Sequence, residues 1–298
     1  MSEQEAMRWP DLMAVVRAKV KPERDRLGNS SVDRSHKQNW WRFANDRPEM
    51  MQAIRDIDRV LVCSRIGNAF AFTFLPRRVV MNEKIVVFPF SQTAPFCVIQ
   101  SRIHEAWARF FSSTLKDDLQ YTPSDCFETF AFPEDFKTSS TITKAGLRYY
   151  EFRASLMAKN NEGLTKTYNH FHTPAETSPD IIKLRELHAA MDRAVLDAYG
   201  WTDLQPTCEF LLDYEDEEDD EPSPQPSRGR GRKKPWRYRW PDDFHDEVLA
   251  RLLELNKKRA EEEALSGQAA EAATTRASKK GRRKKNSKDQ PPCLPGME

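Results

Sequence analysis

Glycine is scarce in this sequence, ten in 298 residues. None of the ten join in the glycine-rich loop that follows a strand and holds a cofactor at a helix N-terminus; Gly229 and Gly231 lie inside an arginine-rich stretch. Cysteine is sparser still. Cys63, Cys97, Cys126, Cys208 and Cys293 are odd in number and far apart. They contain no C-x-x-C pair, which excludes the usual zinc and redox spacings and leaves reduced thiols as the expectation. Nowhere do 18 apolar residues follow one another, and the start MSEQEAMRWPD has no basic stretch leading into an apolar run. The expectation is therefore a soluble intracellular protein with no membrane span. An excess of one charge is missing too. Lys and Arg number 47 against 46 Asp and Glu, a formal net charge of +1, so only local patches can attract nucleic acid.

What the chain does have is 39% hydrophobic and 31% charged residues, the balance of a folded body diluted by polar ends. The charges are segregated, with an acidic run at 213–221 and basic clusters at 228–234 and 279–285. Pro10 followed by Leu12, Val15, Val16, Lys19 and Val20 predicts a helix ending near Gly28, and 28–39 reads as a loop. A short helix is expected over 48–57, then strands at 60–64, 70–74 and 85–88, separated by Gly67-Asn68 and Arg77-Arg78. Leu147, Tyr150, Ala154 and Met157 mark a helix stopped by Asn160-Asn161-Glu162-Gly163. Ser178-Pro179-Asp180 opens another over 181–199, with Ile181, Leu184, His188, Met191, Val195 and Ala198 on one face and Gly200 as the stop. Residues 213–235 read as a disordered linker, 242–264 as a last helix, and the rest as a disordered basic tail.

Residues 98–133 combine three signals. Ile103, Trp107 and Phe110 share a helical face with Ser101 placed as N-cap, and Arg102, Glu105 and Arg109 lie opposite. Lys116-Asp117-Asp118 and Thr122-Pro123-Ser124-Asp125 follow as turn chemistry. Cys126 to Phe130 then alternates like a half-buried strand toward Pro133.

This stretch resembles the end of the target-recognition domain of single-chain restriction-modification enzymes of the MmeI-like type IIL and IIG kind, and of related phage-defence adenine methyltransferases. Trp40-Trp41-Arg42-Phe43 with Arg47-Pro48, the run from Arg59 to Arg65, and Leu164-Thr165-Lys166-Thr167-Tyr168-Asn169 belong to the same resemblance. So do Leu184 to His188, Met191 to Val195 and Ala198-Tyr199-Gly200-Trp201, so that it extends to about Tyr214. It implies an α+β fold: a β-rich target-recognition domain with an N-terminal helix over 1–136, then a helical region over 140–212. A linker at 213–240, a helix at 241–265 and a tail at 266–298 complete the expected division. It also implies sequence-specific binding of double-stranded DNA in the prokaryotic cytoplasm. The family's S-adenosylmethionine loop and its Asn-Pro-Pro-Tyr-like adenine loop have no counterpart, since the one Pro-Pro pair is Pro291-Pro292. Cofactor and catalysis are thus expected in a partner methyltransferase subunit or in a missing N-terminal region, with no catalytic, cofactor or metal residue in this chain. The alternative is a non-enzymatic protein-interaction module derived from such an enzyme.

The DNA-contact candidates are Arg65, Asn68, Arg77, Arg78, Lys84, Arg102 and Lys116, joined by Lys166 and Asn169. Arginine and asparagine suit guanine and adenine edges, and lysine suits phosphate. For any one of them a solvated charged face is the blander reading. Trp40, Trp41 and Phe43 fit a core better than a base stack. Asp125 with Asp135-Phe136-Lys137 only loosely imitates a metal nuclease, and His170-Phe171-His172 with Cys208 fits a polar loop better than a metal site. Thr165 to Asn169 reads as a structural element held by side-chain hydrogen bonds, with the DNA backbone as its other use.

Overall fold

A computed structural model describes residues 1–45, 47–67, 69–115, 118–213 and 236–265. These fall into two units, Met1–Ile57 and the chain from Asp58 onward. The first is helical: α1 (Glu3–Ala6), α2 (Pro10–Lys19), α3 (Lys21–Asp25), α4 (Ser31–Gln38) and α5 (Pro48–Ala53). Ser2 and Glu5 form a reciprocal capping box on α1, and Pro10 opens α2. Where a loop was expected over 28–39, α4 forms, because the Ser30 hydroxyl accepts the Asp33 N–H and starts the turn. Ala6, Met13 and Trp40 make a small core flanked by Val16 and Trp41, while Phe43 is exposed.

The second unit opens with β1 (Arg59–Ser64), β2 (Ile66–Gly67), β3 (Phe72–Pro76) and β4 (Ile85–Phe88). β1 is the centre of a three-stranded antiparallel sheet, pairing Arg59 with Pro76 on one side and Ser64 with Ile85 on the other. Next come α6 (Thr93–Gln100), α7 (Arg102–Phe111), β5 (Ser113–Leu115), β6 (Asp118–Gln120) and α8 (Pro123–Cys126). The second sheet has the order β2-β6-β5. The remaining elements are α9 (Ser140–Asn160), α10 (Leu164–His172), α11 (Pro179–Ala198), β7 (Glu209–Leu212), β8 (Trp236–Arg239) and α12 (Asp242–Leu265). The α+β class holds.

Every residue of α6 is buried. Gly146 allows α9 to approach it, since a Cβ at that position would lie 2.7 Å from Cys97 Cβ and 2.8 Å from the Thr93 carbonyl oxygen. At the C-terminus of α6, Gln100 imitates a neighbouring strand. Its Oε1 accepts the Phe72 N–H at 2.9 Å and its Nε2 donates to the Phe70 carbonyl at 3.0 Å. One apolar core then runs from Leu61 through Trp107, Tyr149 and Leu184 to Leu252, so the boundary expected at 136–140 marks no break in packing.

Several further local expectations are corrected. Phe110 is exposed, and Ser101, which stands at the N-cap of α7 as expected, makes no side-chain cap, because its hydroxyl turns back to donate to the Val98 carbonyl. Cys126 to Phe130 is not a strand: Pro123 opens α8, and turns follow in which Glu128 N–H bonds the Pro123 carbonyl. The buried face of α9 carries Ile142, Gly146, Tyr149, Arg153 and Leu156, one position off the expected stripe. Thr165 to Asn169 belongs to α10. The stop at Asn161 is as expected: this residue takes a left-handed conformation (φ 51°), and the Glu162 N–H reaches the Met157 carbonyl. Residues 214–235 of the linker and all of the tail lie outside the described residues, whereas 236–239, expected within the linker, form β8 by pairing with β7. Cys63, Cys97, Cys126 and Cys208 are free thiols, and burial pushes the Cys208 thiol up to about 11. No described helix is long and apolar enough to cross a membrane.

Candidate nucleic-acid interface

Arg65 stands at the joint between the two sheets. Its N–H donates to the Lys84 carbonyl at 2.7 Å, continuing the β1–β4 ladder, and its own carbonyl accepts the Tyr121 N–H at 2.8 Å, continuing the β2–β6 ladder. The guanidinium is anchored at its root, with Nε donating to the Glu83 carbonyl at 2.9 Å. Lys84 is exposed beside it. Ser64 tightens the turn by donating to the Ile66 carbonyl at 2.7 Å.

The joint rests on a buried support. Tyr121, whose N–H holds Arg65, directs its phenol to His104 Nε2 at 3.2 Å. The imidazole also meets the Ile99 carbonyl at 2.8 Å through Nδ1 and the Cys126 carbonyl at 3.2 Å. Burial pushes its pKa down to about 4, so the ring is neutral at pH 7. With its single N–H on Nδ1 toward the closer Ile99 carbonyl, Nε2 accepts from the Tyr121 hydroxyl, and its approach to the Cys126 carbonyl is then a contact between two acceptors and not a hydrogen bond.

The other sequence candidates do not gather here. Arg77 and Arg78 follow Pro76, which pairs with the first residue of β1, whereas Arg65 follows the last. At about 3.3 Å per residue, six residues put these groups roughly 20 Å apart. Arg78 is exposed, and Arg77 is half-buried with its N–H donated to Asp58. Lys166 and Asn169 are exposed one turn apart on α10, while Thr167 and Tyr168 between them are buried. Asn68 and Lys116 lie outside the described residues.

Arg102 is not a groove residue. It is 5% exposed, and its Nη1 donates to Asp192 Oδ2 at 2.7 Å and to His188 Nδ1 at 2.8 Å. Asp192 also accepts the Arg102 backbone N–H at 2.9 Å. Burial raises the Asp192 carboxyl, but His188 and Arg102 outweigh it and hold the group below its ordinary range. Arg102 sits at the start of α7 and packs toward α11, so what reads as a polar face is an interior one.

Two further arginines are spent inside. Arg153 donates to Gln100 Oε1, the Tyr168 hydroxyl and the Phe72 carbonyl, within 5.4–6.0 Å of the ring centres of Phe96, Tyr149, Tyr150 and Tyr168. Arg185 donates to the carbonyls of His170, Phe171, Thr173 and Glu176, satisfying the end of α10. Sequence reasoning missed both, since a lone arginine on a helix reads as surface. The one available signal was their position on the faces shared with Tyr149 and Leu184.

His170 meets Glu176 at 3.0 Å, and His172 Nδ1 accepts the Tyr238 N–H at 3.1 Å. Among the described residues no group of His, Cys, Asp and Glu is arranged to hold a metal. Asp135 takes a left-handed turn (φ 51°) beside Phe136 and Lys137, which line a shallow pocket with Phe132, Pro133 and Arg259.

A family model now bears on the arrangement of two sheets and a helix pair. Residues 2–134 match the MmeI target recognition domain. A solved structure of the type IIL restriction-modification enzyme MmeI in complex with DNA shares the fold, with a TM-score of 0.55 at 17% identity. It covers 84% of this chain and 26% of the MmeI chain, so the likeness continues past the recognition domain into the helical region, and this chain spans about a quarter of MmeI's length. No curated protein matches the sequence.

Proposed function

We propose that this chain is the part of a type IIG/IIL-like adenine-specific DNA methyltransferase that recognises its double-stranded DNA sequence. It acts for a catalytic chain or region that it does not itself contain. The match of residues 2–134 to the MmeI target recognition domain carries this reading. The exposed basic groups at the two ends of the β3-β1-β4 sheet support it, because phosphate contacts set register and a few base contacts set sequence. On this reading the chain alone transfers no methyl group. S-adenosylmethionine belongs to the partner, which flips and methylates the adenine while this chain holds the duplex. In a restriction-modification or phage-defence setting it works in the cytoplasm.

The test is retention of a random duplex pool on the full chain, followed by sequencing of what is retained. Enrichment of one motif at moderate salt, with affinity falling steeply as salt rises, is the expected result. Retention without enrichment overturns the reading.

A further inference from the structure

We infer that Arg65 reads a guanine, donating from its two terminal nitrogens to O6 and N7 in the major groove, and that Lys84 beside it serves a phosphate. The inference rests on the recognition reading above and deepens it to one base contact.

Five arginines of this fold, four of them buried and Arg193 half-buried, are spent inside the protein. Arg102, Arg153, Arg185, Arg193 and Arg239 spend their terminal nitrogens on carbonyls, carboxylates or side chains inside the protein. Arg65 spends only Nε, on the Glu83 carbonyl, and its Nη1 and Nη2 have no partner among the described residues. Arg59 likewise bonds through Nε alone, to the Ser91 carbonyl, but its guanidinium lies over the Phe74 ring at 4.0 Å, whereas Arg65 covers no ring among the described residues. A planar fork whose root is bonded and whose two outer donors are open has the shape that a guanine Hoogsteen edge accepts.

Preorganisation separates Arg65 from a solvated surface arginine. Its N–H and its carbonyl are both held, one by each sheet, and its Nε is bonded, so backbone and stem lose little freedom on binding. Arg78 and Lys84 have no comparable side-chain anchor among the described residues. Lys84 is a flexible point charge suited to phosphate, while Glu83 contributes its main-chain oxygen to the anchor and leaves its carboxylate exposed.

The experiment uses the full chain in four forms, wild type, Arg65→Ala, Arg65→Lys and Lys84→Ala, each taken through duplex selection and a salt titration. The wild-type motif is expected to contain a guanine whose preference falls about tenfold or more in Arg65→Ala and Arg65→Lys, with the other positions kept. Arg65→Lys keeps the charge and therefore the salt slope. Lys84→Ala weakens all duplexes alike and lowers the slope by about one. Matching thermal midpoints show that folding is intact, and Arg65→Lys carries the test if Arg65→Ala unfolds. An unchanged motif in both Arg65 variants, or a wild-type motif without guanine, overturns this inference alone. A wild type without any motif overturns the recognition reading and this inference with it.

Discussion

Asp192 is where one side chain carries the most weight. It is fully buried, and the Arg102 guanidinium and backbone both bond to it, with His188 one turn away. Removing one partner of such a pair leaves an uncompensated buried charge, at a cost of about 3–5 kcal/mol. Asp192→Ala is expected to lose that much stability in urea denaturation; a loss below about 1 kcal/mol would show that water reaches Arg102. Gly146 poses an opposite test. Replacing glycine by alanine inside a helix ordinarily gains about 1 kcal/mol. Here the added methyl meets Cys97 Cβ at 2.7 Å and the Thr93 carbonyl at 2.8 Å, and overpacking of this kind costs about 1–3 kcal/mol. Gly146→Ala is therefore expected to lower the melting temperature, and a rise would mean that α6 and α9 can part without cost. Neither residue announced itself in the sequence. An aspartate on an amphipathic helix and a glycine within one both read as minor defects of a stripe, because their value lies in partners some 50 to 90 positions away.

The helices were legible where apolar spacing and end signals agreed. α11 begins at Ser178-Pro179 and buries Ile181, Leu184, His188, Met191 and Val195, the face its spacing predicts. α9 was legible as a helix with the wrong face, because its interior side carries Gly146 and Arg153, which hydrophobicity alone assigns outward. α4 escaped notice because it buries no residue and forms through its cap. The three strands of the first sheet were found at β1 and β4 and two residues early at β3, yet the pairing that places Arg65 against Lys84 and Tyr121 depends on long-range register. The interface was legible as a set of basic residues and not as a place. Burial holds His104 down to about 4, and burial with nearby arginines lowers His172 and His188 as well. A base whose folded pKa lies below its unfolded value near 6.5 contributes stability that is complete above that value. As pH falls from 6.5 toward 4 the unfolded chain takes up the proton first and stability declines, levelling off below the folded pKa. For His104 this is roughly 3 kcal/mol. Urea midpoints measured at pH 7.5 and 4.5 are expected to differ accordingly, and equal midpoints would place the imidazole in contact with solvent.

At the scale of the molecule, the core of the second unit is closed by residues from its far end. Trp240, Val248, Leu249 and Leu252 are buried in the same cluster as Leu61 and Trp107, and Asn256 and Arg259 donate to the Thr129 and Phe132 carbonyls. A chain ending at residue 213 would uncover that apolar surface. It is expected to bind a hydrophobic dye strongly and to lose its sharp unfolding transition, whereas a sharp transition would make α12 an accessory. The same return of the chain brings together Leu212 and Trp236, which stand on either side of the sequence segment 213–235. Leu212 pairs with Trp236, so the two ends of this segment are fixed at the width of one strand pair, whatever their separation along the chain. Closing a loop between fixed ends costs only about 0.6 kcal/mol for each doubling of its length. A tag, a cleavage site or a whole domain inserted between β7 and β8 is thus expected to leave the melting temperature of the fold on either side nearly unchanged.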